Sequence, residues 1–108
     1  MKMPLSALRC YIALTKKRAT VVEGMALFKL GEINEFGRGE TPKNEKKALQ
    51  LYIASAQKGY TDAEAAIGRF YKEGKGGLQK DEKKALKWYK DAAKKGNKSA
   101  IEVLDGKN

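Results

Sequence analysis

The stretch Ala63-Glu-Ala-Ala-Ile67-Gly68-Arg-Phe-Tyr71-Lys-Glu-Gly74-Lys-Gly76-Gly77-Leu78-Gln-Lys-Asp81-Glu-Lys-Lys84-Ala85-Leu-Lys-Trp88-Tyr89-Lys-Asp-Ala92-Ala93-Lys-Lys-Gly96 decides how this chain folds. Moved back by 37 residues, it lands on a second copy of itself. Ala26, Gly31, Gly37, Gly39, Lys43, Glu45, Lys46, Lys47, Ala48, Leu49, Tyr52, Ala56, Lys58 and Gly59 each meet an identical residue one period later. Self-similarity at a fixed period of this length marks a stacked repeat, in which each unit buries its apolar face only against its neighbours.

Each copy divides into two helical patterns. Ala63, Ala66, Ile67, Phe70 and Tyr71 recur at the spacing of one helix face, and so do Ala85, Trp88, Tyr89, Ala92 and Ala93. Ala48, Leu51, Tyr52, Ser55 and Ala56 repeat the second set in the first copy. Asn44 and Asp81 suit helix N-caps, and Gly59 and Gly96 suit helix stops. Gly31 and Gly68 fall inside the first helices, where glycine costs up to about 1 kcal/mol. Their recurrence at one phase predicts two helices in close approach.

Toward the N-terminus, Ala7, Cys10, Tyr11, Leu14 and Thr15 show the second-helix spacing a third time, offset by 41 rather than 37. This predicts a leading helix over 5–18. Thr20-Val-Val-Glu23 reads as a capping box that opens a separate helix over 21–36, so a hairpin is favoured. The alternative is one helix from Leu5 to Phe36, because no glycine interrupts the chain near Arg18. Thr61-Asp-Ala-Glu64 is the corresponding box one repeat later. Beyond Gly96, Ala100, Ile101 and Leu104 start a third first-helix that stops at Asp105-Gly106. The expected architecture is all-α: a short right-handed solenoid forming a single domain over 1–108. It comprises a leading helix (5–18), repeat one (26–62), repeat two (63–99) and a truncated third repeat acting as a cap (100–104).

These residues resemble the Sel-one-like repeat family, an α-solenoid relative of tetratricopeptide repeats. The family pattern is carried here by Ala63, Ile67-Gly68, Tyr71, Gly74, Gly76, Asp81, Lys84-Ala85, Trp88-Tyr89, Ala92-Ala93 and Gly96. The first copy departs from it: Asn34 stands at the tyrosine position, Leu51 at the tryptophan and Ser55 at the first paired alanine. Cys10 takes the tryptophan position in the N-terminal segment. The resemblance spans about residues 5–104. It implies a non-enzymatic adaptor, scaffold, or small regulator or immunity-type protein that holds a protein partner, with no cofactor. In such solenoids the first helices of each pair line the concave side.

Composition narrows the chemistry. The chain has no histidine, which removes His-based acid–base catalysis and His metal ligation. A single cysteine excludes an intrachain disulfide and suits a reducing, cytoplasmic setting. Cys10 itself is expected to be buried and inert. There is no run of apolar residues long enough to span a bilayer. The formal charge is +10, with +5 in residues 1–22, zero in 23–62 and +5 in 63–108. Residues 1–22 carry Lys2, Arg9, Lys16, Lys17 and Arg18 and no acid, so targeting to an organelle is a secondary reading.

Three surfaces are candidate sites. Projection of the pattern puts Met25, Phe28, Glu32 and Glu35 of repeat one on the concave face, with Asp62, Ala65, Arg69 and Lys72 of repeat two. Met25, Phe28, Glu32, Glu35, Arg69 and Lys72 are the expected partner-binding set, with an apolar end and facing charges. The competing expectation is that Glu32 and Glu35 simply pair with Arg69 and Lys72 between repeats. Lys83, Lys87, Lys90 and Lys94 form a basic strip along the helix over 82–95, the alternative site, suited to an acidic protein, nucleic acid or another polyanion. Gly74-Lys-Gly76-Gly77 lacks the spacing of a phosphate-binding loop and reads as a turn. So short a solenoid also favours stabilisation by self-association or by a partner.

Overall fold

Residues 4–106 are described here by a computed structural model, with the backbone alone for Tyr11 and Thr15. Lys2 therefore lies outside the described residues, as do the side chains of Tyr11 and Thr15. Among the described residues five helices form and no strand: α1 (Leu5–Phe36), α2 (Glu45–Gln57), α3 (Thr61–Glu73), α4 (Glu82–Lys94) and α5 (Lys98–Gly106).

Caps and stops account for most boundaries. Asn44 and Asp81 are in extended conformation, and each side chain accepts a hydrogen bond from the backbone N–H three residues on, Lys47 and Lys84, at 3.1 Å. Asn97 does the same for Ala100 at 2.9 Å, so α5 starts at Lys98 rather than at Ala100. After α1 the chain turns through Gly37 at φ +65°, and its N–H returns to the Ile33 carbonyl.

The N-terminal hairpin does not form. α1 runs unbroken for 32 residues, about 48 Å at the usual helical rise. The Thr20 hydroxyl, expected to cap a new helix, donates instead to the Lys16 carbonyl at 2.9 Å. That bond is the ordinary way a threonine is satisfied inside a helix. No proline interrupts the chain here, and Gly24 keeps a helical backbone within α1, so nothing stops the helix. The Thr61 box also fails to form: Tyr60 is the N-cap, without a side-chain bond, and Glu64 reaches Lys95 at 2.7 Å.

Continuity of α1 changes the setting of its first turns. α2 is only 13 residues long, so it covers α1 along its C-terminal half. Leu5, Leu8, Ile12 and Leu14 are left exposed. Cys10, expected at a buried packing position, is exposed for the same reason.

The core follows the repeat. One cluster joins Ala48, Leu49, Tyr52, Ala63, Ala66, Ile67 and Phe70, with Phe28 and Tyr60 packed on it. Tyr52 and Phe70 are fully buried and meet edge to face at 5.6 Å. A second cluster joins Ala65, Ala85, Tyr89, Ala92 and Ala100.

The two glycines that recur one period apart, Gly31 and Gly68, both mark close helix crossings. A Cβ on Gly31 would stand 2.7 and 2.8 Å from two atoms of the Tyr52 ring. One on Gly68 would come no nearer than 3.3 Å to Ala85, Trp88 or Tyr89. Helix propensity favours alanine over glycine by about 1 kcal/mol at each site. At Gly31 the clash outweighs this, because Tyr52 is enclosed and overpacking a core costs about 1–3 kcal/mol. Gly31→Ala is therefore expected to lower the urea midpoint, by about 1 kcal/mol of stability. Gly68→Ala is expected to leave it nearly unchanged. Equal effects of the two substitutions would contradict the packing described.

Candidate functional site

A groove of about 410 Å³ lies between the first helices of successive pairs, α1, α3 and α5. Phe28, Tyr60 and Tyr89 supply its aromatic surface, Lys29, Glu32, Asp62 and Arg69 its charge, and Val103 part of its wall. Phe28 is half-buried, with its ring 5.3 Å from Tyr52 and 5.2 Å from Tyr60. It is as much a member of the core as of the surface.

Beneath the groove lies the strongest polar feature of the molecule. Glu35, on the last turn of α1, is completely buried. Tyr52 donates to its Oε1 at 2.7 Å, the Arg69 Nη2 donates to the same oxygen at 2.8 Å, and Lys75 Nζ donates to Oε2 at 2.8 Å. The Arg69 Nη1 also donates to Oε2, so the guanidinium grips the carboxylate with both arms. Burial by itself would push the Glu35 carboxyl up. The hydrogen bonds from Arg69, Lys75 and Tyr52 outweigh it and hold the group at about 2. The Tyr52 hydroxyl moves the other way, raised by burial and by its bond to the carboxylate. Lys75 also reaches Glu45 at 3.5 Å, and Arg69 reaches Glu73 at 3.9 Å. One carboxylate thus ties together α1, α2, α3 and the loop after α3.

The six expected concave-face residues separate into three groups. Phe28, Glu32 and Arg69 line the groove. Met25 is exposed on α1 outside its lining, and Lys72 lies on the rim of a different groove. Glu35 is not on the surface at all, because its carboxylate is spent on Arg69, Lys75 and Tyr52. It cannot touch a partner. The competing expectation of inter-repeat pairing holds for Glu35 with Arg69, as a buried pair rather than a surface one. It fails for Glu32, which pairs with Lys29 on its own helix at 3.4 Å. Lys72 forms no ion pair among the described residues.

Lys75 and Tyr52 were not picked out by the sequence as partners of Glu35. Tyr52 was legible only as a packing residue, and Lys75 only as the middle of a glycine turn. Gly76, at φ +66°, sits against Phe70, Leu49 and the Glu45 carbonyl, so the turn folds back onto the core and carries Lys75 with it.

Lys83, Lys87, Lys90 and Lys94 are all exposed along α4, as the spacing predicts, and Asp91 stands among them. No cluster of three or more potential metal ligands occurs among the described residues. None of the helices is long and apolar enough to cross a membrane.

Comparison with known proteins agrees with this geometry. The Sel1 repeat family matches twice in tandem, over residues 24–60 and 61–97. Among solved structures, a Sel1 repeat protein from Oxalobacter formigenes superposes with a TM-score of 0.70 at 34% identity, covering 76% of this chain and 60% of that one. Cysteine-rich protein B of Helicobacter pylori gives a TM-score of 0.67 at 29% identity, covering 74% and 59%. A protective antigen of uropathogenic Escherichia coli strains, c5321, gives 0.61 at 33%, covering 71% of this chain and 16% of that one. The chain spans about three fifths of the length of the first two relatives. No match was found among curated proteins. Two complete repeats in tandem, on the helical framework seen in these structures, make this chain a member of the Sel1 repeat family.

Proposed function

We propose that this chain is an interaction module that holds a segment of a protein partner in the groove between α1, α3 and α5, as an adaptor, scaffold or small regulator. Sel1 repeat proteins are generally protein-interaction modules and typically non-enzymatic scaffolds, which supplies the class. The observation that carries the site is the groove itself. Aromatic surface from Phe28, Tyr60 and Tyr89 lies beside an Arg69 guanidinium already fixed by Glu35, so binding orders little of the protein. An apolar anchor flanked by polar contacts is how such grooves take a peptide or helix. The setting proposed is the cytoplasm, where the exposed Cys10 thiol would stay reduced. Similarity to Sel1 repeat proteins lends no support to nucleic acid as the ligand of the lysine strip.

The test must spare Phe28 and Arg69, because both belong to the fold. Glu32 and Val103 line the groove without being buried in the core. In cross-linking capture from the native cell, Glu32→Arg and Val103→Asp are expected to cut recovery of specific partners at least about tenfold, close to the 1.4 kcal/mol that a tenfold change represents. Helix content should not change. Retention of every partner by both variants would remove the groove from the function.

A further inference from the structure

Leu8, Ile12, Ala19, Val22, Leu30 and Ile33 fall along one face of α1 at helical spacing. All are exposed except Ile33, which is half-buried. The face is turned away from α2, which meets α1 at Gly24 and Gly31. Single exposed apolar residues need no partner, but a stripe along most of a 32-residue helix marks an interaction surface.

The two halves of this helix carry the two sides of a contact already made inside the chain. Ala7, Leu8, Tyr11, Ile12, Ala13 and Lys17 are identical to Ala48, Leu49, Tyr52, Ile53, Ala54 and Lys58 of α2. Ala26, Leu30 and Ile33 stand one period before Ala63, Ile67 and Phe70 of α3. α2 and α3 pack together through these positions, with Ala48, Leu49, Tyr52, Ala63, Ile67 and Phe70 in one core cluster. Residues 5–18 therefore carry a surface that fits residues 21–36. Because α1 is unbroken, the two surfaces lie end to end on one rod and cannot meet within one chain.

The stripe is also nearly a palindrome. Reversed about the middle of α1, between Thr20 and Val21, Leu8 falls on Ile33, Ala19 on Val22, and Ile12 beside Leu30. Such a surface matches itself across a two-fold axis. Charge favours the same arrangement. Arg9, Lys16, Lys17 and Arg18 stand in the first half of the helix without an acid, whereas the second half carries Glu23 and Glu32 with Lys29. An antiparallel pair sets each basic half beside the acids of the other copy; a parallel pair would set the two basic halves side by side.

We propose that α1 docks against α1 of a second copy, antiparallel about a two-fold axis at the middle of the helix, so that residues 5–18 of each copy lie on residues 21–36 of the other. The contact that a hairpin would have made within one chain is then made between two. Covering the exposed side chains of this face removes on the order of 1,000 Å² from water in the pair, about what a specific interface needs. The face is separate from the groove between α1, α3 and α5, so its test does not depend on the proposed function.

Sedimentation equilibrium of the full chain, from micromolar to submillimolar concentration, is expected to show a dimer of twice 12.0 kDa. Ile12→Glu and Leu30→Glu, at exposed positions outside both core clusters, should each raise the dimer dissociation constant at least about tenfold. Val103→Asp, in the groove, should leave it unchanged. A nitroxide on Cys10, which is exposed, reads the orientation by double electron–electron resonance. In the antiparallel pair the two labels stand about 32 Å apart along the axis and on the outer sides of the helices, so a distance of roughly 40 Å is expected, against about 25 Å for a parallel pair. The proposal is overturned by a monomer at every concentration, by a dimer that survives both glutamate substitutions or is lost with Val103→Asp, or by a Cys10 distance near that of the parallel pair.

Discussion

Glu35→Ala is expected to cost this protein about 3–5 kcal/mol of folding stability, the usual penalty for removing one partner of a buried ion pair. The loss comes less from the bonds themselves than from what is left behind. Arg69, Lys75 and the Tyr52 hydroxyl all point at the Glu35 carboxylate, and without it a buried hydroxyl and two half-buried cations face one another, with only the more distant Glu45 and Glu73 to offset the charge. Small domains are stable by about 5–15 kcal/mol, so the variant is expected to be marginal at best. The pH dependence gives a separate check. The Glu35 carboxyl is held at about 2 against an ordinary value of 4.5. A lowered value in the folded state means that the stabilisation is complete above about pH 4.5 and is lost as the pH falls toward 2. A displacement of that size corresponds to about 3 kcal/mol. Urea midpoints of the wild type should fall across that window. In Glu35→Gln, already destabilised at neutral pH, the fall should be smaller by roughly that amount. Parallel pH profiles for the two proteins would contradict the buried charge.

Phe70→Ala is expected to be comparably damaging, at about 3–5 kcal/mol, as for other fully enclosed aromatic side chains. Phe70 is fully buried and meets Tyr52 edge to face. Both Arg69 and Lys75 place their cations 5.4 Å from its ring centre. Removing the ring opens a cavity beside the Glu35 network as well as in the apolar core. Its effect and that of Glu35→Ala are therefore expected to be non-additive: the double variant should be less unstable than the sum of the single losses predicts. Thermal or urea unfolding of the two single variants and the double variant measures this. Strict additivity would mean that the ring and the carboxylate act independently.

The repeat made the helices legible, because its period and its face spacings are properties of the sequence alone. Asn44 and Asp81 cap where their side chains said they would. The spacing of Gly31 and Gly68 anticipated close helix approach, which at Gly31 is the contact with Tyr52. The errors came where one local signal admits two structures. A Thr-x-x-Glu motif caps a helix only if the chain has a reason to start one. At Thr20 the helix was already running, so the hydroxyl turned to the preceding turn. That single misreading also misplaced Cys10, whose burial depended on a fold-back that does not occur.

The site was harder to read for a related reason. Projection onto a helix face separates residues by angle but not by depth. Glu32 and Glu35 share the projected face, yet one borders the groove and the other lies beneath it. What decides this is the loop carrying Lys75 and the packing of α3 against α1 and α2 that brings Arg69 to Glu35, neither of which has a signature in the spacing. Comparison of the two copies was more informative than either alone, since it sets Glu35, buried and ion-paired, against Lys72, exposed at the same phase.

By joining α1 and α2 to α3 and the loop after it, the Glu35 network is expected to make the two repeats unfold as one cooperative unit. Trp88 is the only tryptophan and lies on α4, while Glu35 lies on α1. Urea unfolding of Glu35→Ala followed by Trp88 fluorescence and by far-UV circular dichroism tests the claim. Both midpoints are expected to fall together, well below those of the wild type. A Trp88 transition that stays at the wild-type midpoint while the helical signal falls would contradict it.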